Sequence, residues 1–365
     1  MPVLSLDDVK TPALLLDIDV LRENLLRMAA RARGAGIRLR PHIKTHACLR
    51  IGRMQQELGA QGLTVSTLRE AELFADAGFD DLIWAFPFTR ADGARVEALG
   101  SRISLGVLVD SLEAIEWLAA LSSTLSIWIE LDCGHHRSGL DPKAEALIPL
   151  ARAIVASPRL RFAGLLTHPG QAYAARGSEE VRAVARAETA ALERAKRRLQ
   201  GAGLEVPALS GGSTPTAWLG ELPGSLDELR PGNYCFHDRT QLAIGACSLE
   251  DCALTVLSTV ISSQGDPPRS VLDAGALALS MDPGPPELSP AMGWLLEEGP
   301  DGPRLGPPLR WLSQEHGVLD QRLPLGQRVR ILPNHACYVT SCFEHYVLVS
   351  EARVVGRLPI AREPH

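Results

Sequence analysis

Three groups of residues in this sequence carry side chains suited to chemistry. The first is Arg38-Leu39-Arg40-Pro41-His42-Ile43-Lys44-Thr45-His46. The apolar stretch leading into it reads as a buried strand, which Pro41 ends because it cannot donate to a strand ladder. A lysine just past a strand end, partly desolvated and close to other cationic groups, would have a lowered pKa and form Schiff bases with carbonyl compounds. The plainer alternative for Lys44 is a surface lysine in a connecting loop. The second group, Ser210-Gly211-Gly212-Ser213-Thr214-Pro215-Thr216, puts glycine-freed backbone N–H groups and the Ser213 and Thr214 hydroxyls where a phosphate could sit at the start of a helix. A glycine-rich turn with a serine cap would look the same. In the third group, His335-Ala336-Cys337, an imidazole and a thiol lie two residues apart. On an extended segment both face one side and could share a borderline ion such as Zn²⁺. The alternative is a half-buried strand with an inert cysteine.

Lesser candidates stand at other strand ends. Arg137 lies in a tight loop between Gly134 and Gly139, where it could meet a carboxylate or a ring oxygen, or form a salt bridge at the rim. His168 is constrained by Pro169-Gly170 and followed by Tyr173; a structural histidine is its alternative. Arg230-Pro231-Gly232-Asn233-Tyr234 offers a Gly-Asn turn with a phenol that could close over the same phosphate.

The elements that must position these residues alternate. From Pro12 to about Pro231, strand-like apolar runs (Ala13–Leu16, the run before Lys44, Gly62–Val65, Leu82–Ala85, Ile103–Val109, Leu125–Leu131, Arg161–Thr167, Val206–Leu209) take turns with amphipathic helical runs. About eight such units close a parallel barrel, and the polar candidates fall after the strands, at the end where barrels do chemistry. An open doubly wound sheet also alternates, but no GxGxxG follows the first strand. After about Gln241 the texture changes to β-branched strands without intervening helices, with a Pro- and Gly-dense insertion between Asp282 and Pro308. The expected architecture is α/β: a TIM-type (β/α)8 barrel over residues 11–240 and a smaller all-β domain over 241–365, joined by residues 1–10.

Composition narrows the classes of function. The chain has 365 residues, 45% of them hydrophobic, and a formal net charge of −6. That argues for a filled globular core and against a nucleic-acid or anionic-membrane partner. No apolar run approaches the roughly 20 residues that span a bilayer, and residues 1–10 lack the apolar stretch of a signal peptide. Seven scattered cysteines without a CxxC pair suggest free thiols in a reducing compartment, so a cytoplasmic location is expected.

Taken together and in order, Thr11-Pro12-Ala13, Pro41–His46, Gly211–Thr216, Arg230–Tyr234 and His335-Ala336-Cys337 resemble the fold-type III pyridoxal-phosphate enzymes. Within them they resemble the D-serine dehydratase and D-threonine aldolase group, whose first domain is alanine racemase-like. The resemblance covers nearly the whole chain. It implies that Lys44 is the Schiff-base lysine and that Ser213, Thr214, Gly232, Asn233 and Tyr234 form the phosphate cup. It further implies that Arg137, His168 and Tyr173 surround the cofactor ring and that His335 and Cys337 form the metal pair. Gly62–Thr67 with Gly78–Asp81, and a His-x-Cys rather than His-x-Asp pair, look more like D-serine dehydratases. Thiolate favours Zn²⁺, with Mn²⁺ or Mg²⁺ as alternatives.

What the resemblance implies for function is a pyridoxal 5′-phosphate- and metal-dependent lyase of D-β-hydroxy amino acids. The first expectation is dehydration of D-serine to pyruvate and ammonia, with Lys44 removing the α-proton. Aldol cleavage to glycine and an aldehyde, with His168 as a candidate base, and dehydration of 3-hydroxyaspartate are the alternatives; an amino-acid racemase is a further rival. A homodimer with its active site at the interface is implied by the family alone.

Overall fold

The computed structural model describes residues 5–222, 225–285, 291–300 and 302–361. Its contacts divide the chain into two compact units: residues 28–44 with 51–232, and residues 1–27 with 45–50 and 233–365.

The first strand, β1 (Ala13–Asp17), corrects one expectation. It does not belong to the barrel. It pairs antiparallel with β10 (Leu254–Gln264), Ala13 opposite Leu257, and parallel with β17 (His345–Ser350), Leu15 opposite Val347. Ala-Leu-Leu-Leu is a run buried on both faces, and such a run fits the middle of either kind of sheet.

The barrel sheet comprises β2 (Arg38–Leu39), β3 (Leu63–Val65), β4 (Asp81–Pro87), β5 (Ser104–Val109), β6 (Leu125–Leu131), β7 (Leu160–Thr167), β8 (Leu209–Gly211) and β9 (Glu228–Leu229). All are parallel, in the order β2-β9-β8-β7-β6-β5-β4-β3. The two ends meet through Thr64 N–H to Pro41 O at 2.8 Å and Gln61 N–H to Leu39 O at 2.8 Å, so the ring closes. Eight strands were expected, but β9 takes the place assigned to Ala13–Leu16. Two residues, one of them a glutamate, give no strand signal. Glu228 is buried because Arg40 Nε meets its Oε2 at 2.7 Å while the Arg40 Nη atoms hold Asp81 at 2.8 and 2.9 Å. Ser210 Oγ donates to the other Glu228 oxygen at 2.7 Å and accepts from Arg230, which also donates to Thr167 O at 2.5 Å. Buried charges therefore come paired and hydrogen-bonded.

The remaining strands are β11 (Arg269–Leu272), β12 (Trp294–Gly299), β13 (Gly302–Pro308), β14 (Trp311–Leu312), β15 (Gly317–Leu319), β16 (Arg328–Leu332) and β18 (Arg353–Pro359). With β1, β10 and β17 they form a mostly antiparallel sheet, ordered β13-β12-β16-β10-β1-β17-β18, with β11 joining β10 to β15. The Pro/Gly-dense insertion contains the β12–β13 hairpin; its residues 286–290 lie outside the described residues. Asp273 ties the entry of β1 to this sheet by accepting from Thr11 Oγ1 at 2.6 Å, Ser258 Oγ at 2.7 Å and Thr259 N–H at 2.9 Å.

Candidate functional site

Lys44 lies in a single 3₁₀ turn (Ile43–Thr45) just beyond β2. Pro41 and His42 lead into it, and His42 N–H donates to Pro231 O at 3.0 Å, joining the Lys44 loop to the one that carries Arg230 and Gly232. The Lys44 N–H faces His42 Nδ1 at 3.4 Å.

The loop after β6 is built around Asp132, whose carboxylate accepts from Gly134 N–H at 2.8 Å, His136 N–H at 3.0 Å and His136 Nδ1 at 2.7 Å. Gly139, at φ +92, lets the chain return, because a Cβ there would come within 2.9 Å of the Leu131 carbonyl carbon. This brings Arg137 to the strand end. Gly170, after β7, leaves room for the His135 ring, which a Cβ would approach to 2.4 Å. His135 stands edge-on to His168, ring centres 5.9 Å apart, and the Tyr173 ring centre lies 6.5 Å from that of His168.

The electrostatics show that these groups converge. Burial, followed by Lys44, His168, Arg230 and Arg137, pushes the His42 imidazole well below its ordinary range. Burial, then Lys44, Arg137, Arg230 and His135, does the same to His168. Both are neutral bases at neutral pH. Glu228 is the first opposing charge on Arg230, and burial acts on two further acids nearby. Burial raises the pKa of Glu130, which accepts from Ser138 Oγ at 3.0 Å through one oxygen while its Oε2 has no hydrogen-bond partner among the described residues. Burial pushes Glu188 up to about 7. Lys44, Arg137 and Arg230, beside carboxyls Glu130 and Glu188 that burial holds toward the neutral form, suit an anionic ligand. Pyridoxal phosphate, with its phosphate, fits that demand.

At the expected phosphate cup, Gly212 adopts φ +90 and Ser213 caps the helix Thr214–Leu219 in a reciprocal box with Thr216. Two of the expected backbone donors are already engaged: Gly212 N–H by Glu188 Oε1 at 2.5 Å, and Ser213 N–H by Thr216 Oγ1 at 2.9 Å. The serine-cap and glycine-turn features are thus both present. Asn233 and Tyr234 are buried, and belong to the other compact unit. Asn233 Nδ2 donates to Asp238 at 2.5 Å, and its Oδ1 has no hydrogen-bond partner among the described residues.

His335 and Cys337 also lie in that unit, and the structure corrects their expected backbone. His335 is extended but caps a short helix, Ala336–Thr340, so Cys337 is in a helical turn. The two side chains still come within hydrogen-bonding reach. Asp238 Oδ2 holds the peptide between them by accepting from Ala336 N–H at 2.9 Å. Burial works against protonation of His335, but Asp282, Cys337 and Asp238 outweigh it and raise the imidazole pKa well above its ordinary range. A pocket that favours positive charge on an N,S donor pair fits a borderline divalent cation. Among the described residues no cluster of three or more His, Cys, Asp or Glu is placed to bind a metal.

Comparison with known proteins decides the family. Residues 16–240 match the family described as alanine racemase, N-terminal domain, and residues 253–349 match a serine dehydratase domain. The chain belongs to the fold-type III pyridoxal-phosphate lyases. It is 36% identical to the D-threo-3-hydroxyaspartate dehydratase of Delftia sp. (strain HT23), covering 94% of both chains. The solved structure of that dehydratase gives a TM-score of 0.90, covering 97% of this chain and 98% of the other; a variant of it has also been solved in a metal-free form. The D-serine dehydratase of Dictyostelium discoideum is 29% identical, with 95% of each chain covered. Alanine racemase from Corynebacterium glutamicum, at 18% identity and a TM-score of 0.66 over 92% of this chain and 97% of that one, shares the fold. No described helix of this fold-type III lyase is long and apolar enough to cross a membrane.

Motif reading named Lys44, Arg137, His168 and Tyr173, which the structure clusters through the contacts above. It did not single out His42, His135 or Arg230, although all three lie inside motifs it quoted. It missed Glu130, Glu188 and Asp282, whose partners are distant in the chain.

Proposed function

We propose that this enzyme is a pyridoxal-phosphate- and Zn²⁺-dependent dehydratase of D-β-hydroxy amino acids, releasing a 2-keto acid and ammonia. The observation that carries the proposal is the convergence of Lys44, Arg137 and Arg230 on the neutral imidazoles of His42 and His168. When bound, the cofactor supplies an electron sink for charge at the α-carbon, and Zn²⁺ supplies a Lewis acid for the departing hydroxyl. Lys44 Nζ tethers the cofactor and then takes the α-proton. Ser213, Thr214, Gly232, Asn233 and Tyr234 bind the phosphate; Arg137 and Tyr173 orient the ring; neutral His168 accepts or returns a proton beside it. His335 Nε2 and Cys337 Sγ hold the metal. Thiolate and imidazole favour Zn²⁺ over Mn²⁺ or Mg²⁺.

The substrate reading shifts from D-serine to D-threo-3-hydroxyaspartate. Support comes from 36% identity to the hydroxyaspartate enzyme against 29% to the D-serine one, and from Arg137 and Lys44, whose charges would receive a second carboxylate. A cytoplasmic homodimer completes the proposal. Lys44→Ala should abolish both the visible band of the lysine-bound cofactor and turnover. His335→Ala or Cys337→Ala should keep the band and lose turnover. A full band in Lys44→Ala, or full turnover without the metal pair, would overturn the reading.

A further inference from the structure

Each of the two metal-ligand candidates is held by a residue from a distant part of the chain. Asp282 Oδ2 meets His335 Nδ1 at 3.1 Å. Its Oδ1 accepts the Gly284 N–H at 2.8 Å, which keeps the carboxylate from rotating away. The Asp282 carbonyl accepts from Asn334 Nδ2 at 3.0 Å, so the loop is fastened to the residue just before His335. Gly284 turns the loop at φ +71, packing so close to Asn334 that a Cβ would lie 3.2 Å from its side chain. On the other ligand, Thr45 Oγ1 lies 3.2 Å from Cys337 Sγ. A metal-bound cysteine is a thiolate and has no proton to give. With the metal in place, Thr45 must be the donor.

We propose that Asp282 and Thr45 are positioning residues of the metal site. Asp282 takes the His335 Nδ1–H bond and so fixes the tautomer that presents Nε2 to the metal. Thr45 donates to the Cys337 thiolate. The inference rests on the reading of His335 and Cys337 as the ligands. Outer partners of this kind orient a ligand and set its basicity, and losing one typically costs about 10–100-fold in metal affinity. Thr45 follows Lys44 directly, so one short turn supplies both the cofactor lysine and the thiolate's hydrogen bond.

The test uses full-length enzyme stripped by chelation, then titrated with Zn²⁺ against a competing chromophoric chelator and with Co²⁺ for its spectrum. Asp282→Asn keeps the shape and removes the charge; it should weaken Zn²⁺ binding about tenfold or more, with the stripped protein still folded by circular dichroism. Thr45→Val should move the thiolate-to-cobalt charge-transfer band to lower energy, because the sulfur regains electron density, and Thr45→Ser should restore it. Zn²⁺ affinity unchanged in Asp282→Asn overturns the role of Asp282. A band unmoved in Thr45→Val overturns that of Thr45. His335→Ala and Cys337→Ala run alongside: if either binds Zn²⁺ as tightly as the parent, the ligand reading itself fails, and the positioning roles fail with it.

Discussion

Glu188 offers a quantitative check on the barrel interior. It sits on the helix Ser178–Gly201, wholly buried, with Gly212 N–H and the Thr216 side chain on its carboxyl and Arg230 nearby. Burial dominates and raises its pKa from 4.5 to about 7. A carboxyl whose folded pKa lies above its unfolded one contributes fully below the unfolded value, and that contribution is lost as pH rises through the folded value. Between about pH 5 and about pH 8 the ionising unfolded chain should therefore gain roughly 2.5 kcal/mol on the folded one, each pKa unit being worth about 1.4 kcal/mol. Glu188→Gln keeps an acceptor for Gly212 and cannot ionise. Urea unfolding of the cofactor-stripped parent and variant at both pH values should show the variant gaining about 2.5 kcal/mol on the parent as pH rises. A parent–variant gap equal at the two pH values would refute the buried, neutral carboxyl and its place beneath the cup.

Backbone crowding supplies the next expectation. Gly164 in β7 has φ +142, and a Cβ there would lie 2.0 Å from the carbonyl oxygen of Ala208, just before β8. Gly164→Ala should cost about 2–4 kcal/mol by chemical denaturation, since neither backbone can yield without breaking the sheet. Gly201, at the end of its helix with nothing among the described residues within 4 Å of where a Cβ would lie, is the contrast: Gly201→Ala should be neutral or stabilising by up to about 1 kcal/mol.

Much of this was legible in the sequence, for reasons that particular residues make clear. Lys44 was visible because Pro41 marks a strand end beside it. Ala13–Leu16 was read as a strand, yet its sheet was misassigned, since a doubly buried apolar run carries no record of its neighbours. Glu228–Leu229 was invisible because its glutamate is buried only through Arg40, nearly two hundred residues earlier. Spacing placed His335 and Cys337 together for the wrong reason: the expected extended segment is a helical turn, and reach survives the change. Glu188 in a charged helix and Asp282 in a Pro-rich loop look like solvated carboxylates. Only tertiary structure puts one beneath Gly212 and the other against His335.

The central claim is that Lys44 and the His335–Cys337 pair serve β-elimination on a D-β-hydroxy amino acid. It is tested most directly by incubating the holoenzyme with D-threo-3-hydroxyaspartate, D-serine and D-threonine, with Zn²⁺ and with Mn²⁺, and quantifying products. The account predicts 2-keto acid and ammonia in equal amounts, fastest from D-threo-3-hydroxyaspartate with Zn²⁺, and no turnover after chelation. Glycine with an aldehyde as the products, or undiminished turnover after chelation, would contradict it.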